Sequence, residues 1–280
     1  MTVRGGTALV AHIGFPTDGF VSPLIYNPYF EQAGIDAVVV PMGCRAEDYP
    51  AFLRAVFTLT NIRGALVTMP HKVTTAALVD DASPAVRLAG SCNAVRRARD
   101  GRLQGDLFDG EGFVRALQRN GCQVEGARAL VVGAGGVGSA IAASLAAAGA
   151  ASIALTDAQP PAARDLAQRL ATHFPSLDVS AGDSDPAGRD IAVNATPLGM
   201  RQADPLPIEI SRLAPDTFVG DVVMAAGTTP LVAAARARGC RVQPGIDMLF
   251  EQIPLYLEFF GFPSATPDEL RRVARLSRAV

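Results

Sequence analysis

The sequence predicts an α/β fold in two domains: an N-terminal α/β domain, then a doubly wound parallel sheet, with C-terminal helices returning to the first domain. Three observations predict it. Short apolar runs alternate with helical patterns along most of the 280 residues, as in chains whose parallel strands are joined by helices. A glycine-rich turn between such a run and a helix lies near the middle. The length suits two domains, and a hydrophobic content of 49% can supply their cores.

The glycine-rich turn lies in the stretch Ala129–Ala140, which reads ALVVGAGGVGSA. Gly133, Gly135 and Gly138 give the spacing G-x-G-x-x-G, with Gly136 in the same turn. One such glycine permits the tight turn, one lets the backbone approach a pyrophosphate, and one lets helix and strand pack closely. The phosphates would lie at the N-terminus of the helix. The alternative is a glycine turn with a purely structural role.

A second apolar run ends at Asp157, where a Rossmann unit places the acid that binds the adenosine ribose, about 20 residues after the turn. The helical stretch between them, Ser139–Ala148, ends at Gly149. This complete βαβ unit favours a Rossmann-type domain that binds NAD(P). NAD is expected to be preferred, because the Asp157 carboxylate would repel the 2′-phosphate of NADP. In the alternative, Arg164 or Arg169 reaches round to that phosphate.

The first domain is expected to span residues 1–110, to bind substrate, and to be completed by residues 246–280. Its first βαβ unit has strands over 7–15 and 35–41 and a helix over 22–32, with Ser22 as N-cap and Pro23 at the first helical position. The elements expected next are a helix over 46–59, a strand over 64–68, a helix over 76–89 and a hairpin at Asp100-Gly101. Lys72 is expected in a loop at the end of a strand, where α/β sheets bind ligands; the alternative is a solvated surface charge.

The NAD(P)-binding domain is expected over residues 111–245. A helix over 113–120 leads into it. Strands are expected near 152–156, 178–181, 191–195, 218–222 and 241–243. The tail over 246–260 and 267–280 is helical in pattern, and its apolar face is expected to cover the first domain.

Composition excludes several classes of function. A net charge of −2 without any block of basic residues argues against nucleic acid and anionic membranes as partners. The cysteines are scattered along the chain, at Cys44, Cys92, Cys122 and Cys240. With only three histidines, His12, His71 and His173, no metal site is expected. The N-terminal apolar run is too short to span a membrane and lacks the pattern of a signal peptide, so a cytoplasmic protein is expected. Either a monomer or a homodimer is consistent with the sequence.

Six stretches, in order along almost the whole chain, resemble the motifs of the shikimate dehydrogenase family. They are Gly14–Pro23 (GFPTDGFVSP), Thr68–Lys72 (TMPHK), Ala89–Asn93 (AGSCN), Gly105–Gly110 (GDLFDG), Asn194–Met200 (NATPLGM) and Gly245–Gln252 (GIDMLFEQ). The resemblance implies reversible, NAD(P)-dependent hydride transfer between 3-dehydroshikimate and shikimate.

The resemblance also implies roles for individual residues. Lys72 matches the catalytic lysine, a proton donor and acceptor, and Asp109 matches its partner, although Asp109 could instead cap the following helix. The substrate would be bound through its carboxylate and hydroxyls by four polar residues: Ser22, Thr68, Asn93 and Gln252. Asn93 could equally be a turn residue and Ser22 only an N-cap. The cofactor loops would be shaped by Asn194, Thr196 and Gly245.

The sequence departs from the family pattern at several positions that are usually polar. These positions carry Phe20, Leu66, Leu107, Phe108 and Met224. If they face the ligand, shikimate is expected to bind weakly; alternatively, some of them point into the core. Two other functions remain open: dehydrogenation of quinate or another, less polar cyclic hydroxy acid, and a dinucleotide-binding sensor without turnover.

Overall fold

The computed structural model describes residues 2–201, 203–224 and 227–276. They form two compact units. Unit 1 contains the residues up to Phe108 and those from Ile253 onward, and unit 2 runs from Asp109 to Gln252. Within the described ranges, no helix is both long and apolar enough to cross a bilayer.

The strands and helices alternate along both units. The strands are β1 (Ala8–Gly14), β2 (Ala37–Gly43), β3 (Ile62–Val67), β4 (Asp81–Ala82), β5 (Ala94–Arg97), β6 (Leu103–Asp106), β7 (Arg128–Val132), β8 (Ser152–Thr156), β9 (Asp178–Ala181), β10 (Ile191–Asn194), β11 (Phe218–Asp221) and β12 (Arg241–Gln243). The helices are α1 (Pro23–Ala33), α2 (Tyr49–Val56), α3 (Lys72–Ala76), α4 (Pro84–Ala89), α5 (Asp109–Arg119), α6 (Gly136–Ala147), α7 (Pro160–His173), α8 (Pro230–Ala237), α9 (Gly245–Phe259) and α10 (Pro267–Val273).

Unit 1 is built on a mixed sheet with the strand order β2-β1-β3-β5-β6-β4. Strands β2, β1 and β3 are parallel, while β5 runs antiparallel to β3 and to β6. Helix α1 joins β1 to β2 and buries Ile25, Tyr26 and Phe30. It ends at Gly34, whose φ of 66° is in the left-handed region that favours glycine. Because β1 and β3 are parallel and β5 is antiparallel to β3, the C-terminal end of β3 lies between the C-terminal end of β1 and the N-terminal end of β5.

The prediction of one helix over residues 76–89 is wrong. The chain instead forms the short helix α3, the two-residue strand β4 and the helix α4. Ser83 is extended and accepts a hydrogen bond from the Val86 N–H, so it caps α4, and Pro84 follows at the first helical position. The Asp80 carboxylate accepts a hydrogen bond from the Leu103 N–H at 2.8 Å, which fixes the break beside β6. Lys72 consequently begins a helix, so the prediction that it lies in a loop is wrong.

The C-terminal helices return to the first unit, as predicted. Helix α10 contacts α1, and the Tyr29 hydroxyl donates a hydrogen bond to the Pro263 carbonyl oxygen at 3.0 Å. A capping box between Thr266 and Glu269 begins α10. The helix ends at Val273, earlier than the expected residue 280, and the last four residues of that prediction lie outside the described residues.

Unit 2 contains a parallel sheet with the strand order β12-β11-β10-β7-β8-β9. Numbered from the first strand of the unit, this order is 3-2-1-4-5-6 read from the opposite edge, the arrangement of a doubly wound Rossmann sheet. Strand order reverses between β7 and β10, which pair along Ala129–Val132 and Ile191–Asn194. Ligands of such sheets bind beyond the carboxyl ends of the strands at this point.

Helix α5 begins at Asp109, four positions before the expected residue 113. Gly110 and Gly112 disfavour a helix by intrinsic propensity, but both occupy positions without room for a side chain. A Cβ on Gly110 would overlap the carbonyl oxygen of Ala140 in α6, and one on Gly112 would overlap Gln252. Close packing therefore decides the start of this helix.

Replacing Gly110 by alanine is expected to lower the stability of the fold by about 1–3 kcal/mol, because overpacking outweighs the better helix propensity of alanine. Thermal unfolding followed by circular dichroism measures the effect. Gly19→Ala is the matched control, since nothing lies within 4 Å of a Cβ added there. Equal melting temperatures for the two variants would contradict the close packing of α5 on α6.

Candidate active site

Three of the predicted site residues lie together at one edge of the unit 1 sheet. Thr68 directly follows β3, Lys72 begins α3, and Asn93 directly precedes β5. The Cys92 N–H donates a hydrogen bond to the Lys72 carbonyl oxygen, and the Val67 N–H donates one to the Asn93 carbonyl oxygen, each at 2.8 Å. We refer to Thr68, Lys72 and Asn93 as the polar cluster.

A buried hydrogen-bonded network supports the start of α3. The Tyr49 and His71 rings stack with centroids 3.9 Å apart, and the Tyr49 hydroxyl lies 2.6 Å from the Thr75 hydroxyl. His71 Nε2 donates to the carbonyl oxygen of Cys44 at 2.8 Å. Burial lowers the pKa of His71, so the ring stays neutral, and burial raises the pKa of Tyr49. The network holds the backbone from which the Lys72 side chain extends.

Asn93 is fully buried and only partly satisfied. Its Oδ1 accepts a hydrogen bond from the Phe108 N–H at 3.0 Å, whereas its Nδ2 has no partner. A buried amide donor without a partner is costly, about 1–3 kcal/mol. Asn93 therefore offers an unused donor within the polar cluster, which a turn residue would not need.

Ser22 is buried at the start of α1, but its side chain does not cap the helix. The residue has helical dihedral angles, φ −52° and ψ −43°, and its side chain makes no capping hydrogen bond. Ser22 therefore occupies the predicted N-cap position before Pro23, but its hydroxyl does not cap the helix, because its backbone is not extended and so does not direct the oxygen at the next N–H groups. The helix does not use the hydroxyl.

The apolar departures from the family pattern divide into different environments. Phe108 packs edge-on against Tyr256 and Phe259, with centroids 5.0 and 5.7 Å away, in the core of unit 1. Leu107 is also buried, whereas Met224 in unit 2 is 39% exposed. Phe108 therefore has a packing role, as the alternative interpretation held for some of these residues.

Leu66 and Phe20 surround a histidine that sequence reasoning did not select as a site residue. His12 lies opposite Leu66 in the parallel register of β1 and β3, and its ring stacks on Phe20 with centroids 4.0 Å apart. Burial, and secondarily the charge of Lys72, lower the pKa of His12 to about 3. The only signal in the sequence was a histidine inside an otherwise apolar strand.

In unit 2, Asp109 and Gln252 are in direct contact. Asp109 begins α5, and its Oδ1 accepts a hydrogen bond from Gln252 Nε2 at 3.1 Å. Both side chains are buried. Gly112 makes the contact possible, since any side chain there would displace Gln252.

The glycine turn has the geometry that its spacing predicts. Gly133 follows β7 with a φ of 106°, and a Cβ there would lie 2.8 Å from the Ala195 backbone. A Cβ on Gly138 would overlap the Gly133 carbonyl oxygen, so helix and strand approach closely. Gly135 caps α6 with open space around it, and Gly136 is the first helical residue. These glycines leave the N-terminus of a 12-residue helix accessible to an anion.

Asp157 lies directly after β8 and fixes this turn. Its Oδ2 accepts a hydrogen bond from the Ala134 N–H at 2.7 Å, and its Oδ1 accepts one from the Gln159 N–H at 2.8 Å. The sequence predicted only one role for this carboxylate, which is to bind the ribose. The structure adds a second role, which is to order the glycine turn.

Asn194, at the end of β10, organises the adjoining loop. Its Nδ2 donates to the Leu198 carbonyl oxygen and to Asp221 Oδ1, both at 3.0 Å. Its Oδ1 accepts from the Thr196 N–H at 3.0 Å and from the Thr196 hydroxyl at 2.6 Å. Because these bonds occupy the amide fully, Asn194 shapes the loop that packs against Gly133.

Asp221 ends β11 and anchors the same network, a role that sequence reasoning missed. The Thr229 hydroxyl donates to its Oδ2 at 2.5 Å, and the Val223 N–H donates to its Oδ1 at 3.1 Å. Burial raises the pKa of Asp221, against the opposing effect of these donors. Gly245 completes this edge, since a Cβ there would lie 2.7 Å from the Val223 carbonyl oxygen.

The described residues therefore present two groups of side chains suited to a small ligand and its cofactor. The polar cluster belongs to unit 1, and Asp109, Gln252 and the glycine turn belong to unit 2. In the part of the chain that the structure describes, no three His, Cys, Asp or Glu side chains are grouped to hold a metal ion. The doubly wound sheet and its glycine turn define a dinucleotide-binding α/β protein of two units.

Comparison with known proteins narrows this class. Residues 13–95 match the family model of the shikimate dehydrogenase substrate binding domain. A shikimate dehydrogenase (NADP(+)) of Rubrobacter xylanophilus is 40% identical over 254 residues, 89% of each chain. One from Acidiphilium cryptum is 35% identical over 97% of each chain. The structure of shikimate 5-dehydrogenase from Listeria monocytogenes, in complex with shikimate and NAD, superposes with a TM-score of 0.88 at 26% identity over 98% of each chain. The chain belongs to the shikimate dehydrogenase family.

Removing the Thr229 hydroxyl is expected to destabilise the fold by about 2 kcal/mol, because Thr229→Ala deletes both a hydrogen bond to a buried carboxylate and the N-cap of α8. Thermal and urea unfolding measure the loss. Thr229→Ser keeps the hydroxyl and is the matched control. If the alanine variant were as stable as the serine variant, the network around Asp221 would not contribute as described.

Proposed function

We propose that this protein is a shikimate dehydrogenase, which interconverts 3-dehydroshikimate and shikimate with a nicotinamide dinucleotide. The observation that supports the proposal is the polar cluster, in which Lys72 and the unused, buried amide donor of Asn93 belong to neighbouring segments at one edge of the unit 1 sheet. The family relationship across almost the whole chain supports the same reaction. The glycine turn supports the cofactor.

The amino-acid composition adds an argument for the role of Lys72. It is the only lysine in the chain, whereas the other 24 of the 25 basic residues are arginines. Arginine stays protonated at any pH a protein experiences, so it cannot exchange a proton with substrate. The only lysine side chain of the chain therefore lies at the start of α3.

In the proposed mechanism, a dinucleotide held at the turn around Gly133 would supply the hydride for reduction and accept it in oxidation. The Lys72 ammonium donates a proton to the carbonyl oxygen of 3-dehydroshikimate as that oxygen gains charge. In the reverse direction, the neutral amine accepts the proton of the shikimate hydroxyl. We propose Asp109 as the partner of Lys72, the role that the family resemblance implies. The hydrogen bond from Gln252 orients the Asp109 carboxylate.

The remaining polar residues are proposed to bind substrate and cofactor. Ser22, Thr68, Asn93 and Gln252 would bind the carboxylate and hydroxyls of shikimate. The support is that the Ser22 hydroxyl is not used by its helix and that Asn93 Nδ2 has no partner in the protein. The cofactor would contact the turn around Gly133 and the loop that Asn194 holds in place.

Replacing Lys72 by alanine is expected to lower kcat by about 10²- to 10⁴-fold, the usual contribution of a general acid–base group. The dissociation constant of the cofactor, measured by fluorescence titration, should stay nearly unchanged. Lys72→Arg is the decisive control, since it keeps the charge and loses the proton transfer. Recovery of activity in the arginine variant would show that Lys72 acts only through its charge, and near wild-type turnover of Lys72→Ala would favour a sensor.

We infer that NAD is preferred to NADP, on the position of Asp157. Its carboxylate is held after β8 by two N–H groups, where it can accept the ribose hydroxyls of NAD and would repel a 2′-phosphate. The curated relatives described above carry NADP(+) in their names, so this feature would set the chain apart from them.

The preference is expected to appear as a kcat/KM at least about tenfold higher with NAD⁺ than with NADP⁺, a difference of about 1.4 kcal/mol. Steady-state kinetics with each cofactor at saturating shikimate measure it. In Asp157→Asn the ratio of kcat/KM with NAD⁺ to kcat/KM with NADP⁺ should decrease, because the substitution removes the negative charge and keeps the size of the side chain. Equal or greater efficiency with NADP⁺ in the wild type would overturn the inference.

The proposed setting is the cytoplasm, with the protein a monomer or homodimer. All four cysteines are buried and free, which supports a reducing compartment.

A further inference from the structure

His12 is a buried polar residue beside the polar cluster that the proposed mechanism does not use. It lies on β1, and its ring is 7% exposed. Its Nδ1 is buried and has no hydrogen-bond partner. A buried ring nitrogen without a hydrogen-bond partner is unfavourable by about 1–3 kcal/mol. The presence of His12 in an otherwise apolar strand therefore indicates that a ligand supplies the missing partner.

The orientation of the His12 ring is fixed by Phe20. The two rings are stacked with centroids 4.0 Å apart and planes 23° from parallel. Gly14 permits this arrangement, since a Cβ there would lie 2.8 Å from Phe20 Cζ and 2.5 Å from Thr68 Cγ2. Phe20 thus covers one face of the imidazole and leaves the ring nitrogens at its edge.

The surroundings of His12 connect it to the substrate-binding edge of unit 1. Thr68 belongs to the polar cluster and, like Phe20, lies against Gly14. Leu66 is the register partner of His12 on β3, and Lys72 is near enough to act on its titration. Phe20 and Leu66 are two of the positions where the family pattern has polar residues. His12 is therefore a polar side chain next to two positions at which this chain has apolar residues instead.

The charge state of His12 defines the chemistry of its partner. Burial and the nearby Lys72 lower its pKa to about 3, so the ring is neutral at any pH at which the protein works. A neutral imidazole has one N–H donor and one acceptor nitrogen. It cannot form an ion pair with a carboxylate. It suits a hydroxyl group, which can donate or accept.

We propose that His12 is a specificity-determining residue that hydrogen-bonds a ring hydroxyl of the substrate through Nδ1, with Phe20 as the residue that positions its ring. The inference rests on the proposed function and deepens it. It specifies a hydroxyl group as the part of the substrate that His12 recognises, and it gives the apolar departures at Phe20 and Leu66 a shared consequence, which is recognition of that hydroxyl by a histidine.

Two variants test the proposal. His12→Phe keeps an aromatic ring to stack on Phe20 and removes the nitrogen, whereas His12→Asn places an amide near the position of Nδ1. We expect His12→Phe to raise KM for shikimate roughly 5- to 20-fold, as for loss of one buried hydrogen bond, with kcat within about threefold and cofactor KM unchanged. His12→Asn should recover most of the substrate affinity.

Substrate analogues identify the hydroxyl. Wild-type enzyme and His12→Phe are compared on shikimate and on its 4-deoxy and 5-deoxy analogues. The wild type should discriminate against the analogue that lacks the hydroxyl contacted by His12. His12→Phe should lose this discrimination and should treat the other analogue as the wild type does. An unchanged KM in a His12→Phe variant that melts like the wild type, or an equal loss on all three compounds, would overturn the proposal.

The outcome separates this inference from the proposed function. Turnover of shikimate by the wild type establishes the reaction whatever His12 does. If the wild type shows no turnover, calorimetric titration with shikimate replaces KM as the measure of affinity. Weaker binding by His12→Phe than by the wild type and His12→Asn would then still support the hydroxyl contact, and equal binding or no binding by all three would reject it.

Discussion

The two backbone hydrogen bonds that join Cys92 to Lys72 and Asn93 to Val67 are the constraint on which the chemistry of unit 1 depends. They tie the end of β3, the start of α3 and the start of β5 into one unit. Side chains on short loops would lose much conformational entropy on ligand binding, but these residues are ordered by the sheet itself. The stacked Tyr49 ring below supports the same backbone. The proposed proton transfer thus begins from a position that the core determines.

In unit 2 the corresponding constraint is that the backbone must come close to the pyrophosphate of a dinucleotide. Glycines provide the space, and carboxylates restrain the loops that result. Asp157 holds the glycine turn and Asp221 holds the loop after β11, each by accepting hydrogen bonds from N–H or hydroxyl donors. Both carboxylates order their loops without a ligand, so the backbone of the site is preorganised.

The parts of the structure that the sequence predicted depend on local patterns. The βαβ unit around Gly133 has a strand, turn and helix within one short stretch, so periodicity and glycine spacing define it. The break between α3 and α4 depended on the pairing of β4 with β6, a contact between distant residues. The same holds for Ser22, whose helical backbone prevents capping, and for Phe108, whose direction is set by aromatic rings from α9. Sequence motifs located the polar cluster. They did not select His12, because its position opposite Leu66 depends on the register of β1 and β3.

The double attachment of Asp157 couples the proposed ribose contact to the shape of the glycine turn. In a Rossmann unit the acid at this position is the ribose ligand. Here the same carboxylate also holds the Ala134 and Gln159 amides. A substitution of Asp157 would therefore loosen the glycine turn at the same time as it removes the proposed ribose contact, so the binding of either dinucleotide would weaken.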